Sequence, residues 1–370
     1  HRDLHSFPTR RSSDLWPGET LSQTADAEHY SFNVLSIHND RSGPYTSWPR
    51  DAVAAARAAG HLHGGAQVSL TGSLMENLDT LEYNGQGFSG WRNPWAETAS
   101  WTTAGGNPAL DLIGFAYFHP LLALVEPADV VTQIRLHREA LARRFPGHPV
   151  SRGLFPPETA FSTRLIPALV EAGVEWVVVD NVHFDRTLTD YPYSPNSNLV
   201  PPNRADVRTS AGKDWVQLNG IWAPSPVSAP FGYQPHFAEH VDPQTGQVSR
   251  IVVVPGARYE GNEDARGGFG ALNYEAVLSQ LEPYNTDPDH PILVVLHHDG
   301  DNYGGGTDSY YHSNFAGFVS WLSSNPDRFQ FTSIQDYLDR FPPADYDVIH
   351  VEDGSWSGAD NGDPEFLKWN

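Results

Sequence analysis

Residues 153–162 read Gly-Leu-Phe-Pro-Pro-Glu-Thr-Ala-Phe-Ser, and the rest of the chain arranges itself around them. Gly153 to Phe155 is a short apolar run with the character of a buried strand end. Pro156 and Pro157 lack the N–H that a sheet ladder needs, so pairing stops there. Glu158 follows at once. Ser162 is a suitable N-cap for STRLIPALVEAG, where Leu165, Ile166, Leu169 and Val170 share one helical face until Gly173 ends it. A carboxylate at the C-terminal end of a strand, on the turn into a helix, sits where parallel α/β barrels place their chemistry. An arbitrary loop glutamate is more often merely solvated. Here the apolar neighbours and rigid prolines favour a functional role.

The same strand–helix alternation extends in both directions. YSFNVLSI (30–37) reads as a strand ending at His38-Asn39-Asp40, and RDAVAAARAAG as the helix after it. GAQVSLTGSL reads as a second strand closing on Met75-Glu76-Asn77. Residues 83–107, rich in Gly, Trp and Asn, have no clean period and are expected to form a long loop over a barrel mouth. LDLIGFAYF is a third strand delivering His119, and VVTQIRLHREALARRF an amphipathic helix. VEWVVVD ends at Asp180, with His183 just beyond. Residues 185–249 read as an insertion with a short hairpin. RIVVVPG and PILVVLHHDG are further strands, the second with a Gly-rich exit at Gly304 to Gly306. ALNYEAVLSQL and SNFAGFVSWLSS are helices, and FQFTS is a last short strand. About seven such units predict an α/β chain with parallel strands and crossover helices, closed into an irregular barrel over 16–345.

The ends are expected to be unnatural. Asp3 to Leu15, DLHSFPTRRSSDL, matches a conceptual translation of a common sequencing adapter, so residues 1–15 are set aside as a non-native leader from a draft or environmental assembly. Any native N-terminus or signal peptide is then missing, and 346–370 reads as the start of a truncated C-terminal region.

Hydrophobic content of 39% with 12% aromatics supports a sizeable core. No apolar run approaches membrane-spanning length. A net charge of −22, with Lys213 and Lys368 the only lysines, argues against nucleic acid or an anionic membrane as partner. A neutral oligo- or polysaccharide fits better. There are no cysteines, which excludes thiolate chemistry and leaves the redox compartment open.

A second strand end stands beside Glu158. Val294-Val295-Leu296 runs directly into His297-His298-Asp299. In a closed barrel such ends converge, so Glu158 and Asp299 can face one ligand. Two facing carboxylates are what acetal hydrolysis needs, one ionised and one holding a proton. Strand-end groups around them, the polar His38, Asp40, His119, Asp180, His183 and His298 and the aromatic Phe155, are expected to meet substrate. Imidazole with carboxylate also suits zinc, and His38, Asp40, His297 and Asp299 could hold a divalent ion, as in a metal-dependent polysaccharide deacetylase. No H-E-x-x-H pair supports that, and no cofactor is expected. A catalytically degenerate carbohydrate-binding protein is the third reading.

FAYFHPLL, a long helix and then RGLFPPETAFS together resemble glycoside hydrolase family 57, the retaining α-glucan enzymes, over most of the chain from about Tyr30. The resemblance implies Glu158 as nucleophile and Asp299, within HHDGDNYGG, as general acid/base. It aligns His38 with the histidine ending the family's first strand and Asp111 with its second conserved region. It also implies an irregular (β/α)7 barrel followed by a helical region that is largely missing here, with Trp356 at the sugar site. His38-Asn39-Asp40 replaces the family's frequent His-Gln-Pro, and Asp111 stands where Glu is usual. The carboxylate pair is unchanged.

Overall fold

A computed structural model of the chain describes residues 38–193, 200–264, 272–300, 311, 314–356 and 363–367. The leader, the expected strand at 30–37 and the glycines at 304–306 lie outside these. In chain order the strands are β1 (Ala66–Val68), β2 (Leu110–Leu112), β3 (Gly153–Leu154), β4 (Trp176–Asp180), β5 (Asp214–Val216), β6 (Val227–Ala229), β7 (His236–Val241), β8 (Val248–Gly256), β9 (Val348–Ile349), β10 (Gly354–Ser355) and β11 (Asp363–Pro364). β1 pairs parallel with β2, β3 with β4, and β4 with β8. A parallel bridge between Gly114 and Leu154 links the first pair to the second, and one between Gly256 and Val295 continues the series beyond β8. Helices join consecutive strands: 72–83 and 93–98 before β2, 127–144 before β3, and 166–171 before β4.

β4 explains why this is a two-layered α/β fold. Its run Trp-Val-Val-Val-Asp is buried throughout, as a strand covered on both faces must be. Val177 and Val179 pack with Ile166, Leu169 and Val253, on the helix side. Trp176 and Val178 pack with Ile113, Val254, Leu293 and Ile334, in the barrel interior. The register Val177↔Val253 and Val178↔Val254 carries the same alternation into β8.

Several expectations are corrected. Met75, Glu76 and Asn77 do not end a strand but lie in the helix Gly72–Tyr83, whose N-cap Thr71 accepts from the Leu74 amide through its side-chain oxygen (3.0 Å). That cap outweighs the β-like run before it. Gly72 is required there, because a Cβ would lie 2.1 Å from the Tyr117 ring. Residues 83–107 are not a loop over the mouth. They contain the helix Asn93–Thr98, and Trp91 and Trp95 are fully buried against Phe145. The insertion at 185–249 holds the antiparallel pair β5–β6 and also β7, which runs antiparallel to β8 and inserts it into the five-stranded order β3-β4-β8-β7-β9. Residues 292–298 keep only a bridge to β8, and 329–333 form no strand. Ser333 instead caps the helix Ile334–Arg340, accepting from the Asp336 amide (3.1 Å).

The C-terminal segment folds back onto the Glu158 turn. β9 pairs with β7, Gly354 exchanges backbone hydrogen bonds with Phe161 (2.9 and 3.0 Å), and the Trp356 amide donates to the Glu158 carbonyl (3.0 Å).

Candidate active site

The Glu158 turn follows directly from its sequence. The Phe155 amide donates to the Gly114 carbonyl (2.9 Å), the last ladder bond before the prolines. Residues Pro157–Thr159 then make a single tight turn, with Glu158 at φ 59° and ψ 23° and Thr159 at φ 47°. This left-handed backbone is rare outside glycine. It turns the carboxylate towards two hydrogen-bonding side chains. His119 Nε2 lies 3.0 Å from Oε1, and the Trp356 indole N–H donates to Oε2. His119 is itself at φ 64° and packs on the Phe115 ring with centroids 5.2 Å apart. The Arg258 guanidinium lies over the Trp356 ring, 5.2 Å from its centroid.

One cavity of about 960 Å³ is lined by Glu158, Asp299, His119, Phe155, His298 and Trp356, among others. The two carboxylates singled out from strand ends therefore share a cavity wall. The segment carrying Asp299 passes very close to its neighbours. A Cβ on Gly256 would lie 2.7 Å from the His297 ring, and one on Gly261 would lie 2.6 Å from the His297 carbonyl oxygen.

Five other expected ligand residues stand elsewhere. Asp180 is fully buried behind the cavity wall, where it accepts from Thr159 Oγ1 (3.1 Å) and lies 2.8 Å from His297 Nε2. Burial opposes its charge, yet the His297, Arg258 and His183 charges prevail and hold its carboxyl below the usual range. His183 is fully buried too. Its Nδ1 meets Glu352 Oε2 (3.0 Å) and its Nε2 meets the Ser355 carbonyl (3.1 Å), so it supports the segment bearing Trp356 rather than facing the cavity. Asp111 is likewise away from the cavity. It accepts from Ser151 Oγ (2.7 Å) near the opposite end of its strand, and burial pushes its carboxyl up to about 6. His38, buried 6.2 Å from the Tyr45 ring, and the exposed Asp40 do not line the cavity. The four groups of the metal-site reading are thus divided, and among the described residues no cluster of three or more His, Asp or Glu is arranged to hold a metal.

Sequence reasoning passed over Arg258 and Thr159 and gave His297 only a metal role. Arg258 and His297 both follow strand-like runs, so the strand-end rule that found Glu158 applies to them as well. Thr159 carried no signal beyond its adjacency to Glu158.

Comparison with known proteins places this geometry in context. Residues 67–207 match the family model of glycosyl hydrolase family 57. An alpha-amylase from Niallia circulans is 32% identical over 356 residues, covering 90% of this chain and 26% of that protein. The chain thus spans about a quarter of the length of the curated relative it matches. A 4-alpha-glucanotransferase structure from Thermococcus litoralis aligns with a TM-score of 0.55 at 18% identity, covering 87% of this chain and 40% of that one. A branching enzyme structure from Pyrococcus horikoshii gives 0.53 at 14% identity, covering 89% and 70% respectively. At these identities the two structures report the fold, that of an irregular (β/α)7 barrel.

Proposed function

The chain belongs to glycosyl hydrolase family 57, and from that premise we propose that it is a retaining glycosidase or transglycosylase acting on α-glucans, with Glu158 as nucleophile and Asp299 as general acid/base. The observation that carries this reading is the shared cavity wall of Glu158 and Asp299, with Glu158 held by His119 and Trp356. Two hydrogen-bonding groups hold the carboxylate that attacks. They also fix its direction, which matters because an attacking atom must be held within a near-attack distance of the anomeric carbon.

In the first half-reaction Glu158 displaces the leaving oxygen, and Asp299 gives that oxygen its proton. In the second, Asp299 takes a proton from water or an acceptor hydroxyl, which then displaces Glu158. Retention needs the two carboxyls roughly 5–5.5 Å apart in the reacting complex. The relatives' names, alpha-amylase, 4-alpha-glucanotransferase and branching enzyme, differ in the acceptor, so the acceptor is what the test must read. Maltoheptaose and amylose are the substrates of choice. New reducing ends mark hydrolysis and longer chains mark transfer. Acetate released from an acetylated glycan, with neither of those, would overturn the proposal.

Glu158→Gln should lower kcat roughly 10⁴-fold or more without unfolding the protein. Azide added to Glu158→Ala should restore turnover and yield a glycosyl azide, because a small anion can occupy the space the carboxylate left. A variant retaining wild-type turnover would remove Glu158 from the mechanism.

A further inference from the structure

Asp180 is shut off from the cavity, so it cannot touch a sugar, yet three parts of the cavity wall converge on it. Its Oδ2 accepts from Thr159 Oγ1 (3.1 Å), the residue immediately after Glu158. Its Oδ1 lies 2.8 Å from His297 Nε2, two residues before Asp299. Arg258 Nε stands 3.9 Å from Oδ2, and the same guanidinium lies over the Trp356 ring. Trp356 in turn donates to Glu158. The side chains of Asp180, Arg258 and His297 are all at least nine-tenths buried.

Such an arrangement is a poor source of stability alone, since a buried charge loses much of its hydration and a well-packed apolar residue often serves as well. What it supplies is register. The Glu158 turn and the segment bearing Asp299 come from stretches of chain 141 residues apart (299 minus 158). One carboxylate on the end of β4 ties both.

We propose that Asp180 is a positioning residue that fixes the Glu158 turn and the His297–Asp299 segment relative to each other. This rests on the catalytic roles given above. It replaces the expectation that Asp180 binds substrate.

The test separates the two arms of the link. With maltoheptaose the leaving oxygen needs a proton, whereas with α-maltosyl fluoride the leaving group departs without one. Asp180→Asn should lower kcat on maltoheptaose roughly 100-fold with KM within about threefold, because ground-state binding does not use this contact. The isosteric Thr159→Val, which loosens only the nucleophile side, should slow both donors similarly. His297→Asn, which loosens the acid side, should slow maltoheptaose about tenfold more than the fluoride.

Amide hydrogen exchange gives a readout independent of turnover. In Asp180→Asn, residues 158–160 and 296–299 should exchange about tenfold faster together while 176–179 stay protected. Wild-type kcat in Asp180→Asn overturns the proposal, as does identical donor dependence in the Thr159 and His297 variants, or exchange that rises throughout the barrel. If the wild type turns over neither donor, the glycosidase reading fails. The exchange experiment then still decides whether Asp180 links the two segments.

Discussion

At Glu158 the backbone occupies a region that L-residues usually avoid. Of six non-glycine residues with positive φ among those described, three are His119, Glu158 and Thr159, all lining the cavity. Each such residue costs about 1–3 kcal/mol and persists only where its surroundings over-determine it. Here the surroundings are specific: two prolines before the turn, the Phe161–Gly354 bridge after it, and the Trp356 amide on the Glu158 carbonyl. The Trp356 side chain then completes the arrangement by donating to the carboxylate. Trp356→Phe keeps a ring beneath Arg258 and the backbone bond, and deletes only the indole donor. A hydrogen bond to a charged group contributes about 1.5–3 kcal/mol, so kcat/KM should fall roughly 10- to 150-fold. Steady-state kinetics check this alongside thermal unfolding, which should stay close to wild type. Unaltered kinetics would make the indole contact incidental.

At the scale of elements, what was legible in the sequence was what local chemistry decides. β4 reads directly because its apolar run is buried on both faces, and the Glu158 turn reads directly because two prolines can do little else. Segments whose state depends on tertiary partners read poorly. Gly72 to Asn77 looks like the end of a strand until Thr71 is seen to cap a helix. FQFTS looks like a strand until Ser333 caps the helix after it. Around the cavity, Glu158, Asp299, His119 and Phe155 were singled out by their position at or after strand ends. Asp180 and His183 obey the same rule but do not reach the cavity: Asp180 shares its strand face with Val178 yet is covered by Thr159, His297 and Arg258, and His183 lies in the short helix Val182–Asp185, turned towards Glu352. The Trp-rich segment 83–107 shows the largest reversal. Its lack of a clean period suggested a long loop, yet Trp95 is fully buried, packs near Phe145 and donates its indole N–H to the Tyr45 carbonyl (3.0 Å). Trp95→Ala should therefore cost about 3–5 kcal/mol of stability, the usual range for emptying a large aromatic site. A urea unfolding curve with an unmoved midpoint would return this segment to the surface.

At the scale of the whole molecule, net charge of −22 is combined with acids that the fold keeps out of water. Burial pushes Asp185 up to about 8, with Ser228 pulling the other way and the Glu260 charge adding to the rise. Unfolded, the same carboxyl ionises near its ordinary 3.8. The folded protein therefore holds a proton there that the unfolded chain has already lost, and stability drains away as pH rises towards 8. One such proton sets a limiting slope of about 1.4 kcal/mol per pH unit. Below about 6.5 the picture is mixed. Asp111 and Asp264, both pushed up to about 6 by burial, act in the same sense. His137, pushed down to about 4 by burial, acts in the opposite one, because the unfolded chain gains its proton first as pH falls. Between pH 6.5 and 8 Asp185 dominates these four groups. Urea unfolding should accordingly show stability falling across that window, and Asp185→Asn should flatten the decline and leave the variant more stable than its parent at pH 8. Asparagine can still accept from Ser228, so the contrast isolates the charge. Repeating the series in 0.5 M salt distinguishes this from repulsion among surface acids, which screening weakens within a Debye length of roughly 4–5 Å at that ionic strength. A decline that disappears in salt would assign the effect to the surface, and one that survives salt but vanishes in Asp185→Asn would assign it to that single buried proton.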